Sequence, residues 1–327
     1  MATEVKKSNT SFGNVFVRDE VAPKKAQLLT DLMDEYIYHT FNKSKEDMEE
    51  AYGDKLEPSF HPSKLAKAFC ERKLVLEYLE APFEEDMKFT DANGHRIFHN
   101  GHSVHERLQK YLAGLGEYTK GKCVLIGRWK CKCGATYGYR PAKSKKKLND
   151  FWVPRPEKCT SCGRSGRHLE YKEADIEIPE LRIKGKMDGV INWKGEQWII
   201  EIKSMNPYQY AKLLAPPDYY LPQSEIYQLA SGIHKMIWIF EDKATQQQRE
   251  FITQHNYKNI EKIMGLVART NACIDAKTLP GKYKDNRSCK ACEYKAICDQ
   301  DLDYNDLIKF IDGKMKEKKD ATKIKEK

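Results

Sequence analysis

Long apolar runs are missing from this chain of 327 residues. None approaches the eighteen or more that cross a bilayer, and the first residues are polar. Neither a membrane protein nor a signal-directed secreted one is expected, and the sequence reads as intracellular and cytoplasmic. No G-x4-G-K-[ST] loop occurs, so these residues carry no motor driven by nucleoside triphosphates. Acidic residues are nearly absent from one stretch. Residues 120–172 hold three Asp or Glu against fifteen Lys or Arg, while the rest of the chain is slightly acidic within an overall charge of +9. A basic block in an otherwise balanced chain suits a polyanionic partner. What is present suffices for a core: 40% hydrophobic residues with 32% charged ones, enough for one elaborated domain or two small ones. Ten cysteines in a reducing compartment point to metal ligation before disulfides.

The chain is organised around residues 185–204, GKMDGVINWKGEQWIIEIKS. Two alternating arms meet at Lys194-Gly195, which predicts a β-hairpin with a two-residue turn. Such a turn pairs Trp193 with Glu196 and sets Asp188 opposite Glu201, their Cβ atoms about 4.5–5.5 Å apart. Lys203, two residues on, projects from the same face. Carboxylates that close repel unless a cation lies between them. The opposite face is apolar through Met187, Ile191, Trp193, Trp198, Ile200 and Ile202, so the hairpin is expected to pack on a core. Asp, Glu and Lys on one patch can hold a divalent metal and position a water. A solvated face with a surface ion pair would show the same short pattern.

With Gly185-Lys186-Met187-Asp188 as a G-x-x-D element and Glu201-x-Lys203 after it, the stretch resembles the core of the PD-(D/E)XK nuclease superfamily in its RecB-type branch. Met187 stands where the superfamily's Pro would be. The resemblance implies an α/β, restriction-endonuclease-like fold, a mixed central sheet flanked by helices. Other elements follow in the order it implies. A helix over 63–81, with Ser63 as N-cap, contains Cys70. A second helix opens near Gly101 and buries Val104, Leu108 and Tyr111. His99, His102 and His105 recur every three residues, a spacing that drifts about 60° per step around a helix and does not aim three ligands at one metal. RecB-type nucleases carry a G-x-x-x-H helix, so the resemblance places His105 at the metal and leaves His99 and His102 solvent-facing or structural. After the hairpin, a helix begun by Pro222 presents Gln223 and Tyr227 on one face, a Q-x3-Y signature thought to orient the active site and the DNA. A strand over Met236–Phe240 and a long helix over 256–277 come next.

Two groups of cysteines remain. Cys131-x-Cys133-Gly and Cys159-x2-Cys162-Gly are paired knuckles that place four thiolates for tetrahedral zinc, with Cys123 as a fallback ligand. They flank a basic loop with Lys143, Lys145, Lys146 and Lys147, read either as a DNA-gripping finger or as a solvated loop on a structural clip. Cys289-x2-Cys292-x5-Cys298 supplies three ligands, and Cys273 and Cys70 are candidates for a fourth. AddB-type nucleases and CRISPR-adaptation exonucleases pair one cysteine ahead of the core with a C-terminal C-x2-C-x5-C to hold a [4Fe–4S] cluster. That resemblance selects Cys70, and zinc is the rival metal. Tyr171–Ile178 alternates as a strand, where Glu173 or Glu177 is either a further carboxylate near the metal or a surface charge.

The expected organisation is a helical extension over 1–60, a nuclease core over 61–122 and 171–300, a zinc-ribbon insertion over 123–170 and a basic tail over 301–327. Residues 1–20 and the last fourteen are expected to be disordered, and 23–56 to form an amphipathic helix through Leu28, Leu29, Leu32, Tyr36 and Ile37. The implied activity is DNA hydrolysis, most simply by an exonuclease on single strands or free ends. Mg²⁺ or Mn²⁺ would be held by His105, Asp188, Glu201 and the Ile202 carbonyl, with Lys203 orienting a water. Unwinding would fall to a helicase or recombination partner in trans. A structure-selective endonuclease and a non-catalytic DNA-binding scaffold are the competing expectations.

Overall fold

The computed structural model describes residues 29, 32–34, 36, 37, 58–82, 92–141, 144–254, 260–283 and 286–325. The expected disorder of residues 1–20, most of the helix over 23–56, and Lys143 lie outside these residues. The central sheet has eight strands. Six run in the order β10 (Gln248–Gln254), β9 (Lys235–Asp242), β8 (Glu196–Met205), β7 (Gly189–Trp193), β1 (Cys123–Lys130) and β2 (Thr136–Tyr137). The short strands β3 (Val153–Pro154) and β4 (Glu170–Lys172) also pair with β1. Among the described strands only β8 and β9 pair in parallel, so the sheet is mixed and mostly antiparallel. A separate ribbon joins β5 (Ala174–Ile178) to β6 (Ile183–Met187). No helix among the described residues is long and apolar enough to cross a membrane.

The β7–β8 turn is as its residues dictate. Lys194 and Gly195 both have positive φ (54° and 79°), the two-residue hairpin geometry that matches strand twist. Trp193 therefore pairs with Glu196 and Gly189 with Ile200. The first arm is not one strand, however. It bends at Asp188, so β6 leaves the sheet and pairs with β5. Met187, expected with Ile191 and Ile200, lies instead in the other core. Gly185 has a packing reason, since a Cβ there would meet Pro62 Cδ at 2.7 Å.

Both faces of the hairpin are covered. Val190 and Ile199 join Met236, Trp238, Phe240, Ile226 and Val267 in one core, which α5 (Leu221–Ser231) and α6 (Ile260–Asp275) cap. On the other face, Ile191, Trp198, Ile200 and Ile202 pack against Val104, Leu108 and Leu112 of α3 (Ala92–Tyr118). Helix α3 starts nine residues before the expected Gly101. Its stripe runs 104, 108, 112, a strict i, i+4 row, and Tyr111 faces solvent, 61% exposed.

The helix expected over 63–81 is two pieces, α1 (Pro62–Leu65) and α2 (Glu71–Tyr78). His61, not Ser63, is the N-cap of α1, with proline in its first turn. Cys70 occupies the break, in extended backbone as the N-cap of α2. A third core ties α2 to the C-terminus: Leu76 and Ala81 pack with Tyr294, Ile297, Leu307 and Ile311. Leu307 and Ile311 belong to α9 (Tyr304–Lys325), so the first turns of the stretch expected as a basic tail over 301–327 are core, and the last fourteen residues, expected to be disordered, are helical to Lys325. Between α6 and α9 lie two short helices, α7 (Asn286–Lys290) and α8 (Lys295–Asp299), and α4 (Pro207–Ala211) follows β8. The insertion also begins later than expected, because Cys123–Lys130 is an interior strand of the sheet.

Candidate active site and metal centres

Asp188 sits where the ladder ends, and its side chain continues the ladder: Oδ2 accepts the Ile202 N–H at 2.6 Å. Oδ1 lies 3.1 Å from His105 Nδ1, which α3 delivers from the neighbouring layer. Gln109, one turn on and buried, donates through Nε2 to the Asp188 carbonyl at 2.9 Å and approaches Glu173 Oε1 at 3.5 Å. His105, Glu173 and Asp188 each offer a ligand atom within 4.8 Å of the other two. Glu201 is 2% exposed; Lys203 Nζ donates to its Oε1, while Oε2 has no hydrogen-bond partner among the described residues.

The electrostatics follow from burying like charges together. Burial pushes the Glu201 carboxyl up to about 7; Asp188 adds to the rise and Lys203 opposes it. Burial also raises Glu173, and the Asp188 charge adds to it. For His105 burial acts downward, but the bond to Asp188 and its charge prevail and hold the imidazole above its usual value. Lys203 behaves alike: burial lowers it, and Glu201 and Asp188 more than offset that. Gln223 and Tyr227 share the inner face of α5, with Gln223 Nε2 donating to Tyr227 Oη at 2.8 Å. Burial, then the Glu201 and Asp188 charges, keep Tyr227 well above its usual value, hence neutral. Tyr220, which no sequence signal singles out, sets its ring 5.0 Å from Lys203 Nζ. His99 and His102 are exposed and take no part. Gln109 also lacked a sequence signal, and Glu173 is brought in by the one-residue gap between β4 and β5.

The cysteine groups differ in build. Cys131, Cys133, Cys159 and Cys162 place their sulfurs within 4.8 Å of one another, with 3.6 Å for Cys131–Cys162 and for Cys133–Cys159. Four thiolates about 2.3 Å from one zinc stand about 3.8 Å apart, so the set fits a single tetrahedral ion. Gly134 and Gly163 turn the knuckles with φ of 94° and 71°. Tyr137 Oη donates to Cys159 Sγ at 3.3 Å and is the first cause of a thiol lowered to about 6, which favours the thiolate a metal needs. Cys123 is not in this group; it lies in the core beneath α3.

Cys70, Cys289, Cys292 and Cys298 line one cavity of about 470 Å³ without forming so tight a group. Four thiols around one cavity suit zinc or an iron–sulfur group by their chemistry. Cys273 does not line it and packs against the main core. Between the knuckles, Lys145, Lys146 and Lys147 are exposed and lead into a short 3₁₀ turn at Leu148–Phe151. Asn149 there donates to the Ser231 carbonyl at 2.9 Å, which fixes the basic loop to the end of the helix bearing Gln223 and Tyr227.

Comparison with known proteins bears on the same residues. No curated protein matches the chain. Among solved structures, SSO0001 is 15% identical at a TM-score of 0.40, covering 85% of this chain and all of that one. An alkaline exonuclease from Laribacter hongkongensis is 18% identical at a TM-score of 0.29, over 33% of this chain and 57% of that one. The same exonuclease in complex with dAMP is 12% identical at 0.37, over 68% and 90%. These are distant likenesses. The profile of the PD-(D/E)XK nuclease superfamily matches residues 62–299, from the proline that opens α1 to the last residue of α8 and across Asp188, Glu201 and Lys203; the chain belongs to that superfamily.

Proposed function

We propose that this nuclease-superfamily protein is a Mg²⁺- or Mn²⁺-dependent deoxyribonuclease, an exonuclease on single-stranded or free-ended DNA. One observation carries the reading: Asp188, Glu201 and Lys203 stand on one patch of a buried hairpin, with His105 against Asp188 and one Glu201 oxygen left without a partner. A buried carboxylate oxygen with nothing to bond suits a metal ligand. His105, Asp188, Glu201 and the Ile202 carbonyl are the proposed ligands. A bound divalent cation supplies positive charge to polarise the scissile phosphate.

The protein's own groups do the rest. Lys203, held charged by Glu201 and Asp188, orients the attacking water and meets charge that develops on the phosphate. Tyr227, held neutral, and Gln223 are donors facing the site from α5. Lys145, Lys146 and Lys147, together with Lys143 two residues earlier in the sequence, hold the DNA backbone, and the docking of the Lys145–Lys147 loop on α5 supports that role. Cys131, Cys133, Cys159 and Cys162 are proposed to hold zinc, and Cys70, Cys289, Cys292 and Cys298 a [4Fe–4S] cluster. The test is incubation with Mg²⁺ or Mn²⁺ and end-labelled DNA, linear and circular, single- and double-stranded. The expected products are mononucleotides or short oligonucleotides from linear DNA, with circles spared. Nicked circles would favour an endonuclease, and binding without cleavage would sink the catalytic reading.

A further inference from the structure

Three acidic residues alternate through the segment that leads to the hairpin: Glu173, Asp175 and Glu177. Two of them are neutralised by guanidinium groups, Asp175 by Arg128 and Glu177 by Arg140. Glu173 has no ion-pair partner among the described residues. Arg128 gives its Nε–H to the Glu173 backbone carbonyl at 2.8 Å and its charge to Asp175, and Lys186 acts on the Glu173 carboxylate only as a nearby charge, without an ion pair. The Glu173 carboxylate, half-buried, instead shares a 4.8 Å group with Asp188 and His105.

That placement is built. Gln109 is 8% exposed, and its single amide nitrogen spans the Asp188 carbonyl and the Glu173 carboxylate. Two carboxylates held that close repel, and an amide neutralises neither. Lys203 already pairs with Glu201, and His105 faces Asp188. Glu201 lies outside that 4.8 Å group but feels the charges of Asp188 and His105, and its buried Oε2 has no hydrogen-bond partner among the described residues, so this neighbourhood too lacks a cation.

We infer that Glu173 is a ligand of the divalent cation, alongside His105 and Asp188, and that Gln109 is the positioning residue that aims it. The inference rests on the nuclease reading above and adds a carboxylate to its ligand set. An imidazole with three carboxylates is a more anionic, less hydrated set than Mg²⁺ usually takes, so the site should favour Mn²⁺.

The experiment measures Mn²⁺ binding to the full-length protein without DNA, by calorimetry and by the loss of the free Mn²⁺ resonance signal. Wild type should bind one Mn²⁺ more tightly than Mg²⁺. Glu173→Gln, which keeps shape and removes charge, should weaken Mn²⁺ at least about tenfold, and Gln109→Met should weaken it by a smaller factor. Glu177→Gln should bind as wild type does. Melting in chelator reports whether each variant folds; Glu173→Asp, shorter by one methylene, should bind between wild type and Glu173→Gln and serves if the glutamine variant does not fold. Equal Mn²⁺ affinity in wild type and Glu173→Gln overturns the assignment of Glu173 and leaves the nuclease reading on His105, Asp188 and Glu201. A wild-type protein that binds no Mn²⁺ overturns both.

Discussion

The carboxylate site and the cysteine-lined cavity are built on opposite plans. Asp188, Glu201 and Lys203 come from sixteen consecutive residues and one hairpin, and burial, with the Asp188 charge adding to it, raises the carboxyls of Glu201 and of Glu173. The cavity draws Cys70 from a break between helices and three more cysteines from a segment over two hundred residues later, with Arg72, Lys73, Lys282, Lys290 and Lys295 around the thiols. Arg72 Nη1 also donates to the Pro280 carbonyl at 3.0 Å, and Lys73 pairs with Glu293 at 3.0 Å, so the same two segments are tied by protein bonds as well. The hairpin site crowds carboxylates together. The cavity joins the two ends of the core. Removing a group should therefore damage chemistry at the first and the fold at the second.

The sharpest way to break this contrast is Cys70→Ala. A centre shared by Cys70 and Cys298 closes a loop of more than two hundred residues, for which chain entropy alone allows about 5 kcal/mol of stabilisation. The variant should melt far below wild type. It should also lose a brown colour and a shoulder near ~400 nm, which thiolate-bound iron gives and zinc does not. Cys273→Ala should do neither. Unchanged melting in Cys70→Ala would end the view of the cavity as a staple, whereas a colourless wild type with two zincs per chain would keep the staple and replace the cluster.

Asp188→Asn supplies the converse. The amide keeps an acceptor for the Ile202 N–H while removing one of the crowded charges. Cleavage should fall at least about a thousandfold, on the order of 4 kcal/mol of barrier. Melting in chelator should match or exceed wild type, because the repulsion with Glu173 and Glu201 is relieved. Cleavage at the wild-type rate would remove the active-site assignment. A large drop in melting would show that this site, too, is structural.

How far each region can be read from sequence follows from how it is built. The hairpin register was legible because a two-residue turn at Lys194-Gly195 fixes every pair behind it. The bend at Asp188 was not, since alternation says which face a residue takes but not where a strand leaves its sheet. Gln223 and Tyr227 followed from four-residue spacing on one helix. Gln109 did not, and Glu173 could not be told from Glu177 as the further carboxylate, because their meeting needs α3 and the β4–β5 gap to be placed first. The continuous helix expected across Cys70 shows the same limit: nothing in its periodicity reveals that the chain breaks there to face the cavity. Tyr111 was misplaced for a simpler reason, the choice of i+3 over i+4 as the buried neighbour of Leu108. The tail misled by composition, since Lys-rich sequence masks the buried Leu307 and Ile311 just ahead of it.

A third test asks whether binding is separable from both centres. Replacing Lys145, Lys146 and Lys147 by Ala removes three exposed charges from the loop docked on α5. DNA affinity should fall by about 2 kcal/mol at low salt, and the slope of log affinity against log salt should flatten by up to about 2.7. Melting and colour should not change. An unaltered salt slope would return this loop to plain solvated surface.

The smallest effect is the most specific to the carboxylate site. In metal-free protein, Glu201, raised from 4.5 to about 7, binds its proton more tightly folded than unfolded, and Glu173 and His105 are shifted in the same direction. Between the unfolded and folded values the native state therefore carries more protons, and stability falls as pH rises. For Glu201 that window runs from about pH 4.5 to about 7. One proton of difference corresponds to about 1.4 kcal/mol per pH unit, an upper bound for Glu201 alone. Chelator-treated protein should lose stability across this window, and Glu201→Gln should flatten the loss. Mn²⁺ should reverse it, because the cation binds only the deprotonated ligands and so stabilises more as pH rises. Burial pushes the Cys70 and Cys292 thiols up, away from this range, so Cys70→Ala should lower the whole curve and leave its tilt. A tilt that survives in Glu201→Gln would place the excess charge on Glu173 and His105 instead.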